Sequence, residues 1–555
     1  MITPVENASL AQDRDAWNLY VFRKGREAAL LRDLATDLES EIRGFCAGRG
    51  SVIDALVRAG EIETGLADAG SQDVFPAAQI TDQLAAAALG LPANVSQALE
   101  YLHRIAEPSR IVCSYPEGFS YYGLNPLDFA DLAGRVQHQL PPRVAIVGIR
   151  SVGSTLGAVV GAALTKANIS TSRITVRPEG EPYHRRAGFN GSQTMWIQSE
   201  LEAGAGFLVV DEGPGFSGST FLSVADALVR AGVPCSRTLL FCSRPFHSRA
   251  DHPGQIQEWR RFQSHVICYG CNVPAEADRS VGGGVWRELL YDGRSQWPGC
   301  WTEMERIKHL SVDGQTLFKF EGFGRFGKLA REQAALLGEA QFSPRLRGLE
   351  NGYGRYEFLR WRPLTRNHLD QQLLARMAQY CAFRARNFPA PDANPAALLA
   401  MAQVNLGLQF GIDNPLAMLP VERPVYADCR MQPHEWIVSP WGKVLKTDAA
   451  GHGEGHHLPG PVDIAWDLAG LIMEWDLTED ESAALLREYF RICGDDASSR
   501  ITPYLLLYSV FRTAFWRMAA ASMASNEEAG RLRAEYCRYT EKTNAILLGL
   551  RASYQ

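Results

Sequence analysis

The chain has no basic excess, no long apolar run and no regular cysteine pattern, and each lack removes a class of function. Lys and Arg number 56 against 62 Asp and Glu, for a net charge of −6. A general nucleic-acid binder needs surplus positive charge to displace phosphate counterions, so that class is excluded. No stretch approaches the roughly 20 apolar residues that cross a bilayer, which argues against membrane insertion. Met1–Asp15 lacks the charged-then-apolar pattern of a secretory signal, so a cytoplasmic protein is expected. The eleven cysteines are scattered and odd in number, which suits reduced thiols rather than a disulfide framework. Cys268 and Cys271 have CxxC spacing but no second pair to match, and read as structural rather than zinc-binding.

What is present is a soluble-protein composition, 46% apolar and 21% charged, spread over 555 residues. That length exceeds what one hydrophobic core fills, so roughly two to four domains are expected. Residues 1–105 read as a helical N-terminal region, with helical patterns over Glu27–Phe45, Asp82–Leu89 and Asn94–Ile105 and a loop at Gly65–Gln72. They carry no chemical constellation, and a helical cap or an oligomerisation surface is the reading. From Ile111 strands and helices alternate, the pattern of a parallel sheet with crossover helices, giving an α/β domain over 106–255. The irregular, tryptophan-rich stretch 256–300 reads as a linker. Residues 301–555 read as a further α+β domain that is helical at its C-terminal end, from Glu479 to Tyr554.

The most informative stretch is Phe207–Thr220. Four apolar residues, Phe207–Val210, read as a buried strand ending on the acidic pair Asp211-Glu212. A Gly/Ser/Thr-rich turn follows, and then a helix with Phe221, Leu222, Val224, Ala225, Leu228 and Val229 on one face. Such a strand–turn–helix aims backbone N–H groups and a helix dipole at one point, which suits a phosphate. Two carboxylates beside it suit vicinal ribose hydroxyls or a magnesium ion. The stretch resembles the phosphoribosyl-diphosphate (PRPP) motif of the type I phosphoribosyltransferases. Ser217-Gly218-Ser219-Thr220 matches the family's closing Thr-Gly-Gly-Thr, whereas the loop from the acids is one residue longer and contains Pro214. The resemblance implies that Asp211 and Glu212 bind ribose and that Gly215, Ser217, Gly218, Ser219 and Thr220 hold phosphate. It also implies a pyrophosphate loop at Arg150, Ser151 and Gly153, after the Val144–Val147 strand. A flap following Arg173–Val176 would bring Arg177, Arg185 and Arg186 to the diphosphate and exclude water. Phe119, Tyr121 and Tyr122 read as core aromatics more readily than as a base-stacking hood.

A second unit begins near Met304. Arg306–Val312, the Asp313-Gly314 turn and Gln315–Glu321 form a predicted hairpin with Lys319 in its second strand. A helix with Glu332 follows, then a strand at Tyr353–Pro363 and, later, Tyr426–Val438 and a strand ending Lys446-Thr447-Asp448. This order resembles the aminoglycoside-phosphotransferase branch of the bilobal protein-kinase-like fold. The resemblance implies an ATP site held by Lys319 and Glu332, with Asp448 and Glu435 on magnesium and Asp428 as catalytic base. Arg430 stands where that family has its base, which is the main departure. Asp463 and Asp467 correspond to a structural segment of the family, and His452, His456 and His457 read as a solvated loop. Gly322–Gly327 satisfies GxGxxG, but the alternating strand before it and the lack of a following acid argue against dinucleotide binding. The combined expectation is a bifunctional transferase acting on small nucleotide-type molecules, with PRPP and ATP as substrates and Mg2+ as cofactor. A homo-oligomer is compatible with it. The alternative is a non-catalytic nucleotide- or PRPP-sensing protein with a degenerate kinase-like domain.

Overall fold

In the computed structural model, residues 16, 18–20, 22, 26–105, 109–180, 184–215, 217–246, 253–271, 273–451, 457–523 and 526–553 are described. The chain divides into two compact units. The N-terminal unit comprises Gly25–Val273 with Gly322–Phe326, and the C-terminal unit comprises Met1–Lys24, Pro274–Glu321 and Gly327–Gln555.

Five strands of the N-terminal unit form one parallel sheet: Arg143–Ile149, Ser170–Val176, Gly206–Val210, Thr238–Cys242 and Gln263–Val266. Numbered in that chain order, they lie 2-1-3-4-5 across the sheet. The third is apolar throughout, the first is apolar after Arg143, and both are buried on both faces along those residues, as a central parallel strand must be. On one face Ala145, Val147 and Ile149 pack with Ile197, Phe221, Val224 and Leu228 in a continuous core. On the other lies the helix Val152–Lys166, where a Cβ on Gly157 or Gly161 would meet the Ile146 side chain at 3.5 Å.

The expected separation of residues 1–105 from this domain is not what the structure shows. The helices Val52–Asp68 and Val74–Ala88 pack on the Val152–Lys166 helix. Residues 27–30, expected to start a helix, lie in the strand Arg26–Leu30, paired antiparallel with Arg110–Ser114, and the helix runs Leu31–Cys46. Gly65–Asp68, expected as loop, closes the Val52–Asp68 helix, whose burial outweighs the low helix propensity of glycine. The described residues of the expected linker 256–300 likewise belong to the two folded units. Its first part supplies the fifth strand and the core residues Trp259 and Phe262, so the N-terminal unit's main segment runs to Val273 rather than to 255. The Asp128 carboxylate accepts the Gly270 and Cys271 amides at 3.1 and 3.0 Å, which fixes the CxxC segment as structure.

The C-terminal unit has a five-stranded antiparallel sheet built from Ala277–Ser280, Lys308–Ser311, Thr316–Phe320, Leu346–Glu350 and Tyr353–Glu357. The Asp313-Gly314 hairpin forms as expected: Lys319 pairs with Lys308 across it, and the Asp313 carboxylate accepts from the Ser311 hydroxyl and the Gln315 amide. The helix Lys328–Glu339 follows the hairpin's second strand. Beyond it, helices Gln371–Asn387, Pro395–Phe410, Ala465–Glu474, Glu479–Cys493, Ile501–Ser522 and Glu527–Ser553 enclose one large core rich in Trp, Tyr and Phe. Among the described residues no helix is long and apolar enough to cross a membrane.

Candidate functional site

In open parallel sheets a ligand crevice forms beyond the carboxyl ends of the strands, where neighbouring connections diverge to opposite faces. Here that point lies between Arg143–Ile149 and Gly206–Val210, and both loops singled out in the sequence emerge there. The two strand ends approach very closely. A Cβ on Gly153 would lie 2.5 Å from the Val210 carbonyl oxygen, and one on Gly148 would lie 2.3 Å from the Gly153 carbonyl oxygen. Only glycine at both positions permits this turn.

Asp211 and Glu212 are half-buried at the end of the third strand. The Gly118 amide donates to Glu212 Oε2 at 3.1 Å. Burial pushes the Asp211 carboxyl up to about 7, against the nearby Arg177 charge. Burial, reinforced by the Glu117 and Asp211 carboxylates, pushes Glu212 up to about 8. The pair is therefore short of compensating charge and is a good acceptor of hydroxyl donors or a cation. After the acids, Gly218 takes φ +63° and precedes the helix Ser219–Arg230, which has no side-chain cap. Two amides of the expected phosphate nest are already engaged, Gly218 with the Gly215 carbonyl at 3.0 Å and Ser219 with Ser217 Oγ at 3.2 Å. The Ser217 and Ser219 hydroxyls also bond each other at 2.9 Å. The first-turn amides of Thr220 and Phe221 have no acceptor within the helix and point at its N-terminal end.

The arginines expected at the diphosphate divide. Arg150 and Arg177 come together on Asp68, at 3.2 and 2.7 Å, with Ser151 and Gly153 in the same turn as Arg150. Arg185 instead donates to the Gly180 carbonyl at 2.6 Å, beside the paired Glu179 and Arg186 backbones. Asp68 was not foreseen; it lies far away in sequence and only the fold brings it in. Phe119 and Tyr121 are core residues as expected, each 1% exposed.

In the C-terminal unit the structure gathers Lys319, Asp448, Asp428 and Glu435 as separate, already paired groups. Lys319 Nζ lies 2.5 Å from Asp448 Oδ1 and 3.3 Å from Glu321 Oε1. Lys308, unnoticed in the sequence, lies 3.6 Å from Asp448 Oδ2 and 2.9 Å from Glu305. Glu332 does not join them. Its carboxylate is exposed and stands 3.9 Å from Lys328, while the neighbouring Gln333 takes the inward position on that helix. The adjacent acid Glu321, at the end of the Lys319 strand, takes the place expected of Glu332.

Asp428 is fully buried and accepts from the Tyr380 hydroxyl. Its backbone amide and that of Cys429 both donate to Asp467 at 2.8 Å, so Asp467 is structural, as expected. Lys446, also fully buried, lies 3.5 Å from Asp428 and 2.7 Å from Glu435. Burial works against its charge, but Asp428 and Glu435 outweigh that and hold the ammonium above the ordinary lysine range. Arg430 lies 3.9 Å from Glu435. Cys429 and Asp448 both have left-handed backbones, at φ +64° and +49°, the kind of strain that collects at functional sites. Among the described residues no group of three or more His, Cys, Asp or Glu is placed to hold a metal ion. His452 and His456 lie outside the described residues, and His457 is buried.

No protein-family model matches the chain. No curated protein sequence matches it either. Among solved structures, the choline kinase LicA from Streptococcus pneumoniae aligns at 16% identity over 43% of this chain and 89% of its own, with a TM-score of 0.32. A choline kinase from Cryptosporidium parvum aligns at 11% identity over 50% of this chain and 91% of its own, also at 0.32. An aminoglycoside phosphotransferase from Alicyclobacillus acidocaldarius aligns at 13% identity over 53% and 98%, at 0.26. Likenesses at these TM-scores carry no argument about the chemistry of this chain, which rests on the geometry above.

Proposed function

We propose that the N-terminal unit binds a phosphoribosyl ligand of the PRPP or nucleoside-monophosphate type. The observation that carries this is the Asp211-Glu212 pair at the carboxyl end of a central strand, beside the Gly148–Gly153 turn and an uncapped helix start. The ligand's 5′-phosphate takes the first-turn amides and the Thr220 hydroxyl, charge matching the helix dipole. The ribose hydroxyls donate to Asp211 and Glu212, whose hydrogen bonds strengthen as the carboxylates ionise. A diphosphate on the ribose anomeric carbon would exchange with Asp68 for Arg150 and Arg177. Glycosidic transfer with PRPP, in either direction, is the reaction this arrangement suits. Full-length protein should bind PRPP in a calorimetric titration, and Asp211→Asn with Glu212→Gln should weaken it tenfold or more. Equal affinity in the folded double variant would refute the reading.

For the C-terminal unit we propose nucleotide binding centred on Lys319 and Lys308, two ammonium groups on adjacent antiparallel strands, each within 3.6 Å of Asp448. ATP is the expected nucleotide, and phosphoryl transfer with Asp428 as base is the first reading. The residues do not fit the magnesium that this reading implies, since Glu435 is held by Lys446 and Asp448 by Lys319. That pairing favours a second reading, non-catalytic nucleotide sensing. ATP binding lost in Lys319→Ala supports both, and turnover with any small hydroxyl acceptor separates them.

A further inference from the structure

Asp428, Glu435 and Asp448 each already have an ammonium partner, and Glu321 and Glu305 share Lys319 and Lys308 with Asp448. Lys446 serves Asp428 and Glu435 together, and its Nζ also donates to the Thr447 carbonyl at 2.8 Å. It is entirely buried and sits on the short strand Val444–Lys446, whose partner strand Trp436–Val438 directly follows Glu435. Its backbone amide is tied to the Phe342 carbonyl at 2.8 Å. The ammonium is thus built into the fold. Asp448 is served by Lys319, itself only 5% exposed along its side chain, and by Lys308. A magnesium ion demands near-octahedral oxygen ligands at about 2.0–2.1 Å. To reach Asp428 or Glu435 it would have to displace the buried Lys446 ammonium, 3.5 and 2.7 Å away, or share their oxygens with a like charge. Both moves are opposed by like-charge repulsion where solvent screening is weak.

We propose that this site binds a nucleoside di- or triphosphate without a divalent cation. Lys446 neutralises the two carboxylates that would otherwise repel the phosphates, and Lys319 and Lys308 give up part of their hold on Asp448 to meet them. The inference rests on the nucleotide reading of this unit and adds how the charge is balanced. It gives Lys446 a role that a single flexible surface lysine could not fill.

The test is calorimetric titration of ATP into the full chain, once with EDTA and once with excess magnesium chloride. The expected result is affinities within about threefold of each other, or tighter binding in EDTA. Binding that needs magnesium by tenfold or more overturns this inference and leaves nucleotide binding standing. Absence of ATP binding in both conditions overturns the nucleotide reading and this inference with it. Lys446→Gln should acquire a magnesium requirement of at least tenfold, and a folded variant that binds equally in both conditions refutes the role of Lys446. Because removing a buried ammonium endangers folding, Glu435→Gln is the companion variant. It should change ATP affinity less than threefold in either condition, whereas a tenfold loss confined to magnesium would show that Glu435 is a metal ligand and overturn the proposal.

Discussion

Replacing Asp211 by Asn and Glu212 by Gln should make the free protein more stable in mild alkali while disabling the ligand site. Both carboxyls are raised by burial, Asp211 from 3.8 to about 7 and Glu212 from 4.5 to about 8. The folded state therefore holds more protons than the unfolded chain between about pH 4 and pH 8, and stability falls as pH rises through that window. A rise of this size corresponds to about 4–5 kcal/mol for each group at full effect, which solvent reaching these half-buried groups reduces to about 1–2 kcal/mol each. The neutral double variant has nothing to deprotonate, so at about pH 8.5 it should exceed wild type by about 2–4 kcal/mol. At roughly 2–4 °C per kcal/mol for a unit of this size, the apparent Tm rises by roughly 5–15 °C. Below about pH 4, where both wild-type groups are protonated, the difference should vanish. Differential scanning calorimetry of both proteins across this range reads the effect directly. Equal pH slopes for variant and wild type, or a variant less stable at pH 8.5, would refute the argument that these acids are strained by desolvation.

Gly218→Val should remove phosphate binding and cost about 1–3 kcal/mol, because φ is +63° and a Cβ would lie 2.9 Å from the Phe246 ring; urea unfolding with a PRPP titration checks both. Asp467→Ala should cost about 3–5 kcal/mol in urea unfolding, since it strands two buried amides and removes the anion 3.7 Å from the buried Arg384 guanidinium. A fragment of residues 25–273 should melt cooperatively, whereas one ending at 255 lacks the fifth strand and the core residues Trp259 and Phe262 and should aggregate; light scattering and circular dichroism distinguish the two.

The sequence was most readable where local pattern and tertiary environment agree. Phe207–Val210 is an apolar run because it lies between two neighbouring strands, and the Asp313-Gly314 turn carries its own conformational instruction. Legibility failed where a partner comes from a distance or from an adjacent face. Glu332 and Gln333 are one residue apart, about 100° around a helix, and only packing decides which faces inward. Glycine and tryptophan made 256–300 look like a connector, although Gln263–Val266 completes the sheet as an edge strand with little apolar character. Lys446 gave no signal at all, since a lysine in a short strand is ordinarily solvated.

Asp68 closes the last turn of the helix Val52–Asp68 and bridges Arg150 and Arg177. The recess thus carries its own resident anion, and any incoming anion binds by exchange rather than by simple addition. An exchange favours ligands with several charges at fixed spacing, because one carboxylate must be outbid at two guanidinium groups together. Chloride and monovalent buffer ions are poor competitors on that footing, and a diphosphate is a good one.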